Sequence, residues 1–250
     1  MLKICTIYFK GLYTPDYVSN FYNSIRKHTS VPFQSVCISD TDVEADIVLP
    51  YNHYGSIKKH WHKLKFFSPL YGYQNPGDDI IIMDIDQVVV NNIDDILNHK
   101  VKDGVLLTYD AWWDNKLGIN GGFYKFKSGQ FDYIWNDFAL NPNYWQSHYY
   151  EVGDVHYKYY GEQNYVEDCC KRNNVKITHM PGEWVCKINS EDKRNSFNQM
   201  QYMKLFDKDY MILDEPHPDI KMVHFAGAEE KDTIHDYEDK FGWIKDNWHA

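Results

Sequence analysis

The stretch DDIIIMDIDQVVVNN, residues 78–92, constrains the fold more than any other part of the sequence. An unbroken apolar run follows Asp79, a pattern typical of a strand that is buried on both faces of a sheet. Asp84 and Asp86 interrupt this run, and valines then continue it. Side chains two positions apart on an extended strand point to the same face, about 6.6 Å apart along it. The sequence therefore predicts two carboxylates side by side on a buried strand.

Extended and helical patterns alternate along the rest of the chain. The expected strands are 2–9, 32–40, 45–50, 104–110, 118–129, 175–181 and 220–227. The expected helices, with apolar residues at helical spacing, are 15–29, 56–72, 130–142 and 162–174. Such alternation is typical of an α/β domain with a mostly parallel central sheet flanked by helices. With 250 residues, 43% of them hydrophobic, the chain is expected to form one domain.

Charge and cysteine content argue against several classes of protein. The net charge is −10 and no basic stripe is present, so neither nucleic acid nor an anionic membrane surface is an expected partner. Five cysteines without CxxC spacing favour reduced thiols over a disulfide framework or a zinc site. No apolar run approaches the ~20 residues of a membrane helix, and the N-terminus does not have the pattern of a signal peptide. We therefore expect a cytoplasmic protein without a membrane span.

The acid pair predicts a metal site. Ligands of parallel sheets bind beyond the carboxyl ends of the strands, which is where Asp84 and Asp86 are expected. Two neighbouring carboxylates repel unless a cation lies between them, and their oxygens suit Mg²⁺ or Mn²⁺. The alternative is a pair of solvated loop residues, although the valines that follow argue against a simple exposed end.

Five motifs, in chain order, resemble those of GT-A glycosyltransferases of the glycogenin-like type (family 8 type). They are HWHKLKFFSP at 60–69, MDIDQVVVNNIDDIL at 83–97, INGGFYKF at 119–126, GEQNYV at 161–166 and VHFAGAEEKD at 223–232. The resemblance implies a Rossmann-like GT-A fold, with a nucleotide-binding half at 1–110 and an acceptor-side half at 111–250. Three departures are Glu162 in place of the usual Asp, Glu229 and Glu230, which lengthen the loop before Lys231, and Asp232 in place of the Pro that normally follows Lys231.

The resemblance also implies a set of site residues. The metal, Mn²⁺ or as second choice Mg²⁺, would be bound by Asp84, Asp86 and His224. Contacts with the nucleotide-sugar donor would come from Thr6, Tyr8, Lys63, Asp84, Ile85, Asn120, Gly121, Gly227 and Lys231. Beside the reacting centre we expect Gln163, Glu162 and Asp110. Trp112 and Trp113 are candidates for stacking on an acceptor sugar.

The expected reaction is transfer of a sugar from a nucleotide-sugar donor, a UDP-sugar by analogy, to a carbohydrate or another hydroxyl acceptor. The resemblance favours retention at the anomeric carbon, whereas Glu162 or Asp110 acting as a base would give inversion. One alternative is a haloacid-dehalogenase-like phosphatase, whose nucleophilic Asp normally ends the first strand, unlike Asp84 here. Another is a non-catalytic relative that binds a nucleotide or carbohydrate.

Overall fold

The computed structural model describes residues 1–11, 13–51, 57–110, 118–151, 161–187, 216, 218–225, 234–239 and 241–249. The strands in this part of the chain are β1 (Leu2–Ile7), β2 (Gln34–Ile38), β3 (Ile47–Leu49), β4 (Asp79–Met83), β5 (Gln87–Val89), β6 (Val105–Thr108), β7 (Phe123–Lys127), β8 (Lys176–His179), β9 (Val185–Lys187) and β10 (Met222–His224). The α-helices are α1 (Asp16–Lys27), α2 (Asp94–Leu97), α3 (Asp132–Leu140), α4 (Pro142–Glu151), α5 (Gly161–Arg172), α6 (Ile234–Tyr237) and α7 (Gly242–Trp248).

The strands form two sheets. A seven-stranded sheet has the order β3-β2-β1-β4-β7-β6-β8, and a three-stranded sheet has the order β5-β10-β9. In the larger sheet only β7 runs against its neighbours, since β3, β2, β1 and β4 pair in parallel and β8 is parallel to β6. The predicted α/β architecture with a mostly parallel central sheet is confirmed.

Strand β4 is covered on both faces, as its apolar sequence predicts. Ile81 belongs to a core cluster that includes Phe21 of α1 and Trp248 of α7. Ile80 and Ile82 point to the opposite face, where their cluster includes Phe138 of α3. Because successive side chains of a strand alternate between faces, the isoleucine run can fill both cores at once.

The chain changes sheets at the acid pair, and the prediction of one continuous strand there is wrong. β4 belongs to the seven-stranded sheet and β5 to the three-stranded sheet. The amide of Asp84 donates to the carbonyl of Gly122 at 3.2 Å, whereas the carbonyl of Asp86 accepts from the amide of Phe225 at 2.9 Å. The two acids therefore hydrogen-bond to different partners, and the chain bends between them.

The segment expected to be a helix at 56–72 contains a 3₁₀ helix at Lys59–Phe67. Its buried residues include Trp61, Leu64 and Phe67, which are three apart and so lie on one side of a helix with three residues per turn. Shorter 3₁₀ turns occur at Tyr71–Tyr73 and Gly182–Trp184. Among the described residues, no helix combines the length and apolar character needed to cross a membrane.

Candidate active site

Strand pairing brings His224 to the acid pair from a distant part of the sequence. β10 is antiparallel to β5, so His224 at the end of β10 lies opposite Gln87 at the start of β5. Gln87 directly follows Asp86. Asp84, Asp86 and His224 each offer one ligand atom, and these atoms all lie within 4.8 Å of one another. The structure thus brings together the three residues expected to bind a metal.

The surroundings of Asp86 suit a metal ligand. Its Oδ1 lies 3.2 Å from Nε2 of His224, and its Oδ2 accepts a hydrogen bond from the hydroxyl of Tyr13 at 3.1 Å. Oδ1 is buried and has no hydrogen-bond partner within the part of the chain that the structure describes. A buried carboxylate oxygen without a partner is costly, and a divalent cation shared with an imidazole nitrogen would satisfy it. The two oxygens and one nitrogen form a donor set that Mn²⁺ accepts.

His224 is also contacted on the side away from Asp86. Its Nδ1 lies 2.6 Å from the hydroxyl oxygen of Tyr109. The side-chain amide of Gln87 donates both to that oxygen, at 3.1 Å, and to the carbonyl of Gly122, at 2.7 Å. These contacts hold the imidazole ring at Nδ1, on the side opposite the nitrogen that faces Asp86.

Asp84 is held by Lys63. The Lys63 ammonium donates to Oδ1 of Asp84 at 2.9 Å and to the carbonyl of Gly121 at 2.7 Å, and it lies 3.5 Å from Oε1 of Glu162. Burial alone would lower the pKa of Lys63, but the charges of Asp84 and Glu162 outweigh it and raise the pKa. Lys63 therefore stays charged. With its side chain 3% exposed, it positions Asp84 in this structure, and its expected contact with the donor stays a prediction.

Glu162 and Gln163 begin α5 and face the same Gly121 backbone. Burial, reinforced by Asp84, raises the pKa of Glu162 from 4.5 to about 7 against the opposing effect of Lys63. Tyr124 donates to Oε1 of Glu162 at 2.9 Å. Oε1 of Gln163 accepts from the amide of Gly121 at 2.7 Å, whereas its Nε2 is buried without a partner among the residues described. The amide nitrogen of Gln163 is thus a hydrogen-bond donor that the described residues leave without an acceptor.

Three residues expected to touch the donor, Thr6, Tyr8 and Ile85, are buried. Thr6 is fully buried, and its hydroxyl donates to the carbonyl of Met83 at 2.7 Å. Tyr8 is also buried and donates to the carbonyl of Tyr13 at 3.1 Å. Ile85 is 3% exposed within the bend itself. Of the three, Thr6 contacts the backbone next to the acids, and the donor contacts of all three stay predictions.

Asp110 and Asn120 lie at the neighbouring edge of the sheet. Asn120 donates from Nδ2 to the carbonyl of Asp110 at 3.1 Å, and its Oδ1 accepts from the amide of Gly122 at 2.9 Å. Both side chains are buried. Four other candidates lie outside the described residues: Trp112, Trp113, Gly227 and Lys231.

Sequence reasoning missed four residues that contact the candidate ligands or their supports, namely Tyr13, Gln87, Tyr109 and Gly122. Gly122 carried a local signal, because it is the second glycine of the NGG sequence. A Cβ at Gly122 would lie 2.2 Å from the Tyr109 hydroxyl and 2.7 Å from Cε1 of His224. Only glycine allows these side chains to approach so closely. The other three carried no signal, since their contacts depend on strand pairing.

The fold is that of known glycosyltransferases. LgtC, a galactosyltransferase solved with donor and acceptor sugar analogues, superposes with a TM-score of 0.60 at 11% identity, over 99% of this chain and 96% of that one. The bifunctional glycosyltransferase WbbM superposes with a TM-score of 0.58 at 11% identity, over 98% of this chain and 49% of that one. GlyE of Streptococcus pneumoniae TIGR4 superposes with a TM-score of 0.56 at 9% identity, over 94% of this chain and 56% of that one.

The chain spans about half the length of WbbM and of GlyE and nearly all of LgtC. No protein-family model matches the sequence, and no curated protein is significantly similar to it. At identities near one in ten the structural similarity concerns the fold, and the expected GT-A fold is confirmed.

Proposed function

We propose that the protein is a metal-dependent glycosyltransferase that transfers a sugar from a nucleotide-sugar donor, in the first instance a UDP-sugar, to a hydroxyl acceptor. The observation that carries the proposal is the convergence of Asp84, Asp86 and His224 within 4.8 Å, at the bend between two sheets of a glycosyltransferase fold. Oδ1 of Asp86, which has no hydrogen-bond partner among the described residues, supports a cation at this position.

Departure of the nucleoside diphosphate is the difficult step of glycosyl transfer, because negative charge develops on the leaving group. A bound Mn²⁺ or Mg²⁺ would supply positive charge against it. Asp84, Asp86 and His224 would hold that ion, and Lys63 would orient the Asp84 carboxylate through their 2.9 Å contact. Because the protein already holds these groups in position, they would need little reorientation as negative charge develops on the leaving group.

We further propose that transfer proceeds with retention, with Gln163 beside the anomeric carbon. Its Oε1 accepts from the amide of Gly121, and its Nε2, which has no partner among the described residues, would donate to the substrate. Glu162 is less suited to act as a base toward an acceptor, because Tyr124 and Lys63 already contact its Oε1. A buried amide donor at this position is consistent with a reaction guided by the leaving phosphate.

The test is a screen of sugar nucleotides with Mn²⁺, read by nucleotide release. The wild-type protein should release the nucleotide slowly from one donor by hydrolysis, and UDP with Mn²⁺ should raise its melting temperature, since a ligand at 100 times its Kd adds about 2.7 kcal/mol of stability. Asp86→Asn should abolish both effects. Asp132→Asn, on the surface of α3, is the matched control and should leave both unchanged.

Two results would contradict the proposal. Phosphate release from a phosphoester, abolished by Asp84→Asn, together with no release from any sugar nucleotide, would indicate a phosphatase. Donor binding without hydrolysis or transfer over a panel of acceptors would indicate a non-catalytic relative. The stereochemistry follows from the anomeric configuration of the product formed with the donor that the screen identifies.

A further inference from the structure

We propose that Tyr109 and Gln87 are positioning residues that orient His224 for binding a divalent cation through Nε2. This inference rests on the metal site of the proposed function and extends it to residues with no part in the metal-ligand set. Three contacts carry it: Tyr109 hydroxyl to His224 Nδ1 at 2.6 Å, Gln87 Nε2 to the Tyr109 hydroxyl at 3.1 Å, and Gln87 Nε2 to Gly122 O at 2.7 Å.

The first step concerns the tautomer of His224. A neutral histidine that binds a metal through Nε2 carries its proton on Nδ1, and that N–H needs an acceptor. The Tyr109 hydroxyl oxygen lies at hydrogen-bonding distance from Nδ1, and it can accept the proton. Nε2 faces Oδ1 of Asp86 at 3.2 Å, on the side where the cation would lie. The ring is therefore held with its metal-binding nitrogen toward the acids.

The second step concerns the orientation of the Gln87 amide. The carbonyl of Gly122 can only accept a hydrogen bond, so the nitrogen of Gln87 must face it, which also turns an N–H toward Tyr109. Oε1 of Gln87 is buried without a partner in the described part of the chain. This orientation of the amide therefore costs the free energy of desolvating that oxygen. The amide thus fixes the Tyr109 oxygen by donating to it, and leaves it able to accept from His224 as well.

The third step is steric. The Cβ of an alanine at position 122 would lie 2.2 Å from the Tyr109 hydroxyl, 2.7 Å from Cε1 of His224 and 3.0 Å from Nε2 of Gln87. Gly122 therefore makes room for all three members of the network at one point. The carbonyl of Gly122 accepts from Gln87, and the absence of a Cβ leaves room for Tyr109 and His224. Both properties of this glycine are therefore needed for the contacts around His224.

The test measures Mn²⁺ affinity directly, by the decrease of the free Mn²⁺ signal in electron paramagnetic resonance, with and without UDP. Tyr109→Phe keeps the ring and removes the acceptor, and it should raise the Kd for Mn²⁺ by about 10–100-fold, as loss of an outer hydrogen bond to a metal-binding histidine typically does. Gln87→Met keeps the length of the side chain and should weaken binding in the same direction. Melting temperatures show whether each variant is folded.

Tyr22→Phe is the matched control. Tyr22 is fully buried, and its hydroxyl donates to the carbonyls of Val36 and Ile4 at 2.8 and 3.2 Å, away from the acid pair. It should lose stability without a change in the Kd for Mn²⁺. If Tyr109→Phe is unfolded, Gln87→Met decides the question, because it leaves the tyrosine in place.

The outcomes separate this inference from the proposed function. If the wild-type protein binds Mn²⁺ and Tyr109→Phe weakens binding, the inference stands even where no sugar nucleotide is turned over. If folded Tyr109→Phe and Gln87→Met bind Mn²⁺ within twofold of wild type, or Tyr22→Phe weakens binding equally, the inference is overturned while nucleotide release remains an independent test. If the wild-type protein binds no Mn²⁺ with or without UDP, the inference is overturned as well.

Discussion

Replacing Glu162 by Gln should change how the stability of the protein depends on pH. Burial raises the pKa of Glu162 from 4.5 to about 7 in the folded protein, so the folded state holds this proton more tightly than the unfolded state. The stability contributed by the protonated carboxyl is fully present below about pH 4.5 and is lost as the pH rises through about 7. At about 1.4 kcal/mol for each pH unit, the total loss is about 3 kcal/mol.

Glutamine resembles the protonated carboxyl in shape and lacks its ionisation. The free energy of unfolding of Glu162→Gln should therefore rise relative to wild type between about pH 5 and about pH 8, by about 2–3 kcal/mol. Urea denaturation at several pH values in the presence of EDTA measures the difference without interference from bound metal. Glu167→Gln, which removes a carboxylate paired with Lys171 on the surface of the same helix, corrects for the general effect of losing one negative charge.

Two results would refute this reasoning about Glu162. Parallel curves for wild type and Glu162→Gln would show that the carboxyl does not titrate between these pH values. A relative loss of stability in the variant at high pH would show that the ionised carboxylate, paired with Lys63 at 3.5 Å, stabilises the folded state by more than its burial costs.

Three further predictions concern residues that support the site. Thr6→Val removes the hydroxyl that donates to the carbonyl of Met83, and it should lower the free energy of unfolding in urea by about 1 kcal/mol; an unchanged midpoint would argue against this hydrogen bond. Gly161→Ala would place a Cβ 2.8 Å from Cζ2 of Trp61 and should cost about 1–3 kcal/mol, measured by thermal unfolding; equal melting temperatures would show that the indole ring can move. Trp248→Ala should cost about 3–5 kcal/mol by leaving a cavity among buried side chains, and a loss below about 1 kcal/mol in urea would show that α7 contributes little to the core.

The elements that locate the site could be predicted because their signals are local. An unbroken apolar run defines β4, and the two acids at its end follow directly in the sequence. His224 was expected only through the resemblance of its motif to glycosyltransferases, since nothing within its own segment indicates which residues it meets. The pairing of β10 with β5 supplies that information, and pairing between distant strands is not encoded in the periodicity of either strand.

The change of sheet between Asp84 and Asp86 could not be predicted for a related reason. The residues on either side are equally apolar, so the pattern matches one long strand as well as two short ones. The partners decide between these possibilities, because Gly122 pairs with Asp84 whereas Phe225 pairs with Asp86. Both partners lie far away in the sequence, and their backbone groups carry no side-chain signal.

The bend also gives the two acids different surroundings, so they are not equivalent as candidate metal ligands. Asp84 belongs to a network with the Lys63 ammonium, and its side chain is 29% exposed. Asp86 is contacted by Tyr13 and His224, and its side chain is 11% exposed. Removing the charge of Asp84 would leave Lys63 with Glu162 as its one carboxylate partner among the described residues, whereas removing that of Asp86 would act directly on the oxygen that faces the imidazole. Asp86 is therefore the acid that a metal bound as proposed would contact more directly, and Asp84 would link that site to the ion pair of Lys63 with Glu162 at the start of α5.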